Sequence, residues 1–288
     1  MKQRLKLITS LSTLALTSAL AVSAWAGEGE GEGEGAEGED AASILAPGGE
    51  SEGESESEGE GESEGEGESE SEGEGEGGAA SNGDPATDDA EYLYRLGLAQ
   101  GHLIAFRELH DSGETEMALG HAKHPESELY AELSPAFKAR SKSGFADELA
   151  ALAIAATSGD EIDSAYNAAT AAVAANFPDA SIATLLMAVS KIVTTAGDEF
   201  DIGVDDDGTI TNAHEYQDAY GFLNASRAIL ASVQTNDVTE SEAIAIAQEQ
   251  ITTALEQFDG LTADTTDGAP AFLYGAAARI EIAALGLS

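Results

Sequence analysis

Histidine is the scarcest chemistry-bearing side chain in this sequence, and it is unevenly placed. Four of the five histidines, His102, His110, His121 and His124, fall within 23 residues. His121 and His124 are three apart, so a helix sets them one turn apart on one face, and Met117, four residues before His121, shares that face. Imidazole with a thioether suits copper, whereas two imidazoles completed by carboxylates suit iron, zinc or manganese. Glu116, Glu126 and Glu128 stand close by, and His102 lies on the preceding predicted helix. The candidate metal ligands are therefore His121, His124, His102, Met117, Glu128 and Glu116. Coordination by neutral imidazole is reversible, and its affinity is expected to fall below about pH 6 as the ring takes a proton.

Each of these residues also has a purely structural reading. His110 stands where a basic group complements the C-terminal end of a helix dipole. His124-Pro125 reads as a helix stop in which the imidazole bonds a free carbonyl. His102 reads equally as a core histidine with its hydrogen bonds satisfied.

A second feature is the acidic run Asp205-Asp206-Asp207-Gly208, followed by Asn212-Ala213-His214-Glu215-Tyr216-Gln217-Asp218. A calcium loop fails here. Aligning Asp205, Asp207 and Gly208 with the third, fifth and sixth loop positions puts Gly203 first and His214 last, where an Asp and a bidentate Glu are required. The run reads instead as an acidic turn before a capped helix. His214 and Asp218 then lie one turn apart and can join a metal site.

What must position these residues is a helical frame. Between residues 79 and 288 the chain is rich in Ala, Leu and Ile and poor in aromatics, with Gly and Pro at punctuation points. Apolar spacing and capping residues predict helices over 88–110, 114–123, 126–140, 144–157, 160–176, 179–199, 212–234, 239–258 and 270–287. Pro125 is expected to stop the second, and Pro135 to interrupt the third. A tight turn at Ser112-Gly113 folds the first two helices antiparallel and brings His102 back toward His121 and His124. Asn212 with Glu215, and Thr239 with Glu242, have capping-box spacing. Alanine-rich helices let their axes approach closely, so the expected fold class is all-α, an antiparallel helical bundle over 88–288. The last helix is apolar, but its short length and the charges of Arg279 and Glu281 argue for a bundle helix rather than a membrane span.

Ahead of the bundle the text changes twice. Residues 1–26 read as a cleavable signal peptide, with Lys2, Arg4 and Lys6 before an apolar stretch and Ala24-Trp25-Ala26 before Gly27. Residues 27–87 read as a disordered acidic low-complexity tether rich in Gly, Glu and Ser. Its segment 27–78 carries 20 Glu and Asp40 with no basic residue, so it has little to bury and much charge to keep apart. The tether reads as a solubilising spacer, or as a diffuse collector of hard cations.

Charge and composition remove several functions. The formal net charge is −43, from 12 Lys+Arg against 55 Asp+Glu, which repels nucleic-acid phosphate and anionic lipid headgroups. With no cysteine there is no disulfide, no thiolate metal site, no CxxCH haem attachment and no lipid anchor on an N-terminal Cys. Neither a Gly-x-Ser-x-Gly nor a His-Glu-x-x-His signature is present, so the protein is not expected to be an enzyme.

Two stretches carry a resemblance. Gly203-Val204, Gly208, Ile210, Asn212, Glu215-Tyr216-Gln217-Asp218-Ala219 and Gly221-Phe222 resemble a segment of the exported helical domain attached to some bacterial high-affinity iron permeases. Gly101-His102-Leu103, Met117-Ala118, His121, His124-Pro125, Glu128 and Tyr130 are similar to exported helical proteins of Gram-negative bacteria. The resemblance implies a role in iron handling, with an inner-membrane iron transporter as partner. Permease-like membrane helices and a haem site are absent from the sequence, which speaks against transport or electron transfer by this chain alone. The expected product is periplasmic or secreted, binds iron or alternatively copper, and does not insert in the membrane after signal cleavage. A metal-free helical interaction module with an acidic solubilising tether is the alternative.

Overall fold

The computed structural model describes residues 83–287, so the expected signal peptide and the tether as far as residue 82 lie outside the described residues. Residues 83–87 form a turn that hands the chain to the first helix, with the backbone amides of Thr87 and Asp88 donating to the Asp84 carbonyl.

The described part is predominantly helical, as the composition predicts, with no strand among the described residues. The helices are α1 (Asp89–Ser112), α2 (Thr115–His124), α3 (Tyr130–Ala139), α4 (Ala146–Ser158), α5 (Ile162–Asn176), α6 (Ile182–Gly203), α7 (Ala213–Ala231), α8 (Val238–Leu255) and α9 (Pro270–Leu285). Their starts follow local chemistry. Asp88, Ser181, Asn212 and Asp237 each accept a backbone N–H from the first turn that would otherwise lack a partner. Pro270 opens α9, where its missing N–H costs nothing.

Three local expectations are corrected. α2 does end at His124, directly before Pro125, but the chain stays helical beyond it. A π-helical turn, Pro125–Leu129, carries the chain from α2 into α3, and Pro135 sits inside α3 without interrupting it. The cap of α8 is Asp237 rather than Thr239, since its carboxylate accepts from both Thr239 and Glu240. At α7 only half of the capping box forms: Asn212 accepts the His214 amide, but its own backbone N–H goes to the Gly203 carbonyl.

α6, α7, α8 and α9 pack as a closed set of four, α6 against α7 and α9, and α8 against α7 and α9. α1 lies across this set on α7 and α6, and on its other sides receives α2 and α5. It is accordingly apolar on nearly every face, with Leu93, Leu96, Leu103 and Phe106 fully buried, each contributing about 1.5–3 kcal/mol by leaving water. A charged network ties its outer end: Glu91 is buried and accepts from Lys191 of α6 at 2.8 Å, while Arg95 reaches Glu132 of α3 at 2.7 Å.

Two glycines set how closely α1 and α7 cross. A Cβ at Gly221 would stand 2.5 Å from the Gly101 carbonyl oxygen, and one at Gly101 would stand 3.0 Å from the Phe222 nitrogen. The backbones touch there because neither residue has a side chain. His102 follows Gly101, and Asp218 precedes Gly221 by one helical turn, so the crossing brings those two side chains together.

The acidic run is indeed a turn. Val204 pairs with Ile210 in an antiparallel bridge around Asp205–Gly208, where Gly208 has φ 83°. A second bridge, Thr209 with Thr265, joins this turn to the connection between α8 and α9. Among the described residues no helix is long and apolar enough to cross a membrane.

Candidate metal centre

Four of the five histidines converge. His102 comes from α1, His121 and His124 from α2, and His214 from the first turn of α7, and all four meet Asp218 of α7. His102 Nδ1 lies 2.7 Å and His121 Nδ1 2.9 Å from the same oxygen, Asp218 Oδ1. On the other oxygen, Oδ2, His214 Nε2 stands at 3.4 Å and His124 Nδ1 at 3.9 Å. His124 Nδ1 is also 2.9 Å from Glu128 Oε1 and 3.0 Å from His214 Nε2. Glu128 Oε2 faces His102 Nε2 at 3.8 Å.

Local structure explains each placement. The Gly113 turn, at φ 90°, reverses the chain between α1 and α2 as its sequence predicts. The π-helical turn takes Glu128 past Pro125 and sets its carboxylate against His124, a use of π geometry common at functional sites. Gly120 leaves room for the His214 ring, whose Cε1 would be 3.1 Å from a Cβ there. The His214 ring stacks on His121 with centroids 4.1 Å apart and planes 6° apart. Phe222 closes the floor edge-on to His102 at 5.1 Å.

Burial divides the cluster. His102, His121 and Asp218 are fully buried, whereas the side chains of His124 and His214 are 26% exposed and form its outer edge. For Asp218, burial alone would raise the pKa, but the charge and hydrogen bond of His102, followed by those of His121, outweigh it and hold the carboxyl well below the usual range. It is a carboxylate. His214 is pushed from 6.5 down to about 3, first by burial and then by the neighbouring His121, with Asp218 opposing. It is a neutral imidazole, the form that ligates metals.

Two oxygens in this buried cluster, Asp218 Oδ2 and Glu128 Oε2, have no hydrogen-bond partner. A buried carboxylate oxygen without a donor is costly in a metal-free protein, and a cation removes that cost. Three groups of side chains bring ligand atoms within 4.8 Å of one another: His102, His121 and Asp218; His124, His214 and Asp218; His102, His124 and Glu128. A mixture of imidazole nitrogen and carboxylate oxygen fits iron, zinc or manganese.

Of the sequence-derived ligands, His121, His124, His102 and Glu128 come together. Met117 and Glu116 do not reach the cluster. Glu116 is exposed, and the Met117 sulfur accepts from Gln217 Nε2 at 3.2 Å on the far side of that amide. His110 stays in the last turn of α1, stacked on Phe106, as its dipole reading predicts. Sequence reasoning placed Asp218 and His214 at the margin, whereas Asp218 is the residue on which the others converge. It missed Gln217 altogether. The Gln217 amide nitrogen donates to the Leu261 carbonyl at 3.1 Å, which turns its oxygen toward His121 Nε2 at 2.9 Å. A signal was available in the run Gln217-Asp218, which lies three and four residues beyond His214.

A closed four-helix unit with N-terminal helices laid on it, and a buried imidazole-carboxylate cluster between the two, define a helical protein with a metal-competent centre. Residues 178–281, spanning α6 to α9, match the iron permease-associated 4-helix bundle domain family. The matched segment contributes His214, Gln217 and Asp218, and the preceding helices contribute His102, His121, His124 and Glu128. No curated protein and no solved structure matches the chain.

Proposed function

We propose that this is an exported, non-enzymatic metal-binding protein that holds iron reversibly at the His102, His121, His124, His214, Asp218 and Glu128 cluster and serves an inner-membrane iron transporter. The observation that carries the reading is the convergence of four of five histidines on one buried aspartate. Iron is favoured over copper because the gathered donors are imidazole and carboxylate, and the Met117 thioether is engaged by the Gln217 amide. The match of α6 to α9 to an iron permease-associated domain supports the setting. The readable signal segment supports export to the periplasm or beyond. Neutral imidazoles release a cation when protonated, so the same residues allow loading and delivery.

Calorimetric titration of the mature protein with Fe²⁺, Fe³⁺, Zn²⁺ and Cu²⁺ under excess Mg²⁺, which occupies diffuse carboxylates, tests it. Saturable binding that disappears in the His121→Ala/His214→Ala double variant, which takes one ligand from each histidine pair on Asp218, is the expected result. Binding unchanged in that variant overturns the assignment. Elemental analysis of protein taken from its native compartment should return iron.

A further inference from the structure

The donor set is divided, and its division is more regular than one ion requires. Asp218 turns its two oxygens to different histidine pairs. Oδ1 meets His102 Nδ1 and His121 Nδ1 at 2.7 and 2.9 Å, while Oδ2 faces His214 Nε2 and His124 Nδ1 at 3.4 and 3.9 Å. Each oxygen with its pair is a two-histidine, one-carboxylate face, the donor set of non-haem ferrous sites.

The orientation of the outer nitrogens agrees. The Gln217 oxygen, fixed by the Leu261 carbonyl behind it, accepts from His121 Nε2 and so holds the ring with Nδ1 aimed at Asp218. A ligating histidine held by a hydrogen bond on its other nitrogen is the usual arrangement in metal sites. In the outer set, Glu128 Oε1 stands 2.9 Å from His124 Nδ1 and adds a second carboxylate, so the half nearer solvent carries the greater negative charge. On that outer side Asp218 Oδ2 and Glu128 Oε2 are buried with no hydrogen-bond donor, a cost that a cation there relieves, while on the inner side a cation would take the place of the protons shared with His102 and His121.

We infer that the centre holds two divalent cations bridged by Asp218, an inner one on His102 and His121 and an outer one on His124, His214 and Glu128. This rests on the metal-binding reading above and specifies its stoichiometry and order. The inner position is fully buried and the outer one opens to solvent, so the inner cation enters first and leaves last.

The test uses the full mature chain in excess Mg²⁺, loaded with Zn²⁺, desalted and analysed for metal per chain, and in parallel loaded with Cu²⁺ for electron paramagnetic resonance. Two zinc ions per chain are expected, together with a spin-coupled copper signal, because ions sharing one carboxylate lie about 3.5–4 Å apart. His121→Gln and His214→Gln should each bind one ion, with an uncoupled copper spectrum. One ion per wild-type chain overturns the two-cation centre and leaves the metal-binding function standing. Two ions without spin coupling overturn the shared carboxylate. No bound ion overturns both this inference and the function on which it rests. Circular dichroism reports whether the variants fold, and should either fail, the wild-type stoichiometry and coupling decide alone.

Discussion

Replacing Gly221 by alanine tests whether the α1–α7 crossing builds the centre. The new Cβ would lie 2.5 Å from the Gly101 carbonyl oxygen, a backbone atom that cannot swing aside, while ordinary contact begins near 3.4 Å. The two helices must part by about 0.9 Å, the difference between those distances. His102 Nδ1 sits 2.7 Å from Asp218 Oδ1, so the same displacement stretches that bond to as much as about 3.6 Å, beyond hydrogen-bond range. Overpacking costs about 1–3 kcal/mol, and the loosened charge-assisted bond about 1.5–3 kcal/mol more. A helical domain of this size loses about 2–4 °C per kcal/mol, so the metal-free protein should melt roughly 5–20 °C lower. Metal affinity should fall about 10–100-fold, as it does when a ligand's supporting partner is displaced. The control is Gly275→Ala in α9, whose Cβ would meet only the flexible Arg279 guanidinium at 3.1 Å and should be neutral or slightly stabilising. Thermal melts with and without metal, and calorimetry, read both effects. A Gly221→Ala protein that melts and binds like Gly275→Ala refutes the claim that this crossing sets the site.

Gln217→Leu removes the acceptor for His121 Nε2 and the donor to the Leu261 carbonyl, leaving buried groups unpaired; we expect a loss of about 2–4 kcal/mol in denaturant melts and weaker metal binding, since His121 loses its orientation. Asp218→Asn removes the charge shared by four imidazoles and should abolish specific metal binding while folded helix persists at neutral pH, as calorimetry and circular dichroism will report. His214 has a folded pKa of about 3 against 6.5 when exposed, so between those values the unfolded chain binds a proton that the folded one refuses. Stability of the metal-free protein should therefore fall as pH drops from 6.5 toward 3, and His214→Gln should flatten that fall in a series of melts across this range.

The frame was legible because its signals are local. Helix starts at Asp88 and Asn212, the Gly113 reversal, and the alanine-rich faces depend on residues within a turn or two of each other. Where a local rule failed, a neighbour had overridden it: the Gly203 carbonyl took the Asn212 amide from its capping box, and beyond Pro125, where α2 does end, a π turn kept the chain helical into α3. The resemblance drawn from residues 203–222 agrees with the matched 4-helix bundle domain, which spans them.

Composition alone confined any cation site to His, carboxylate, Met or backbone donors, since the sequence offers no thiolate, and helical spacing alone paired His121 with His124 and His214 with Asp218. Which of these side chains come together was decided by tertiary structure. His102 and Asp218 are 116 residues apart, and no periodicity spans that distance. They meet because two side-chain-free residues let α1 and α7 touch. Met117 shares the helix face of His121 and His124, yet its sulfur is taken by the Gln217 amide, while Glu116 points to solvent. Sequence sets which atoms are available; close packing of distant helices sets which of them point at one place.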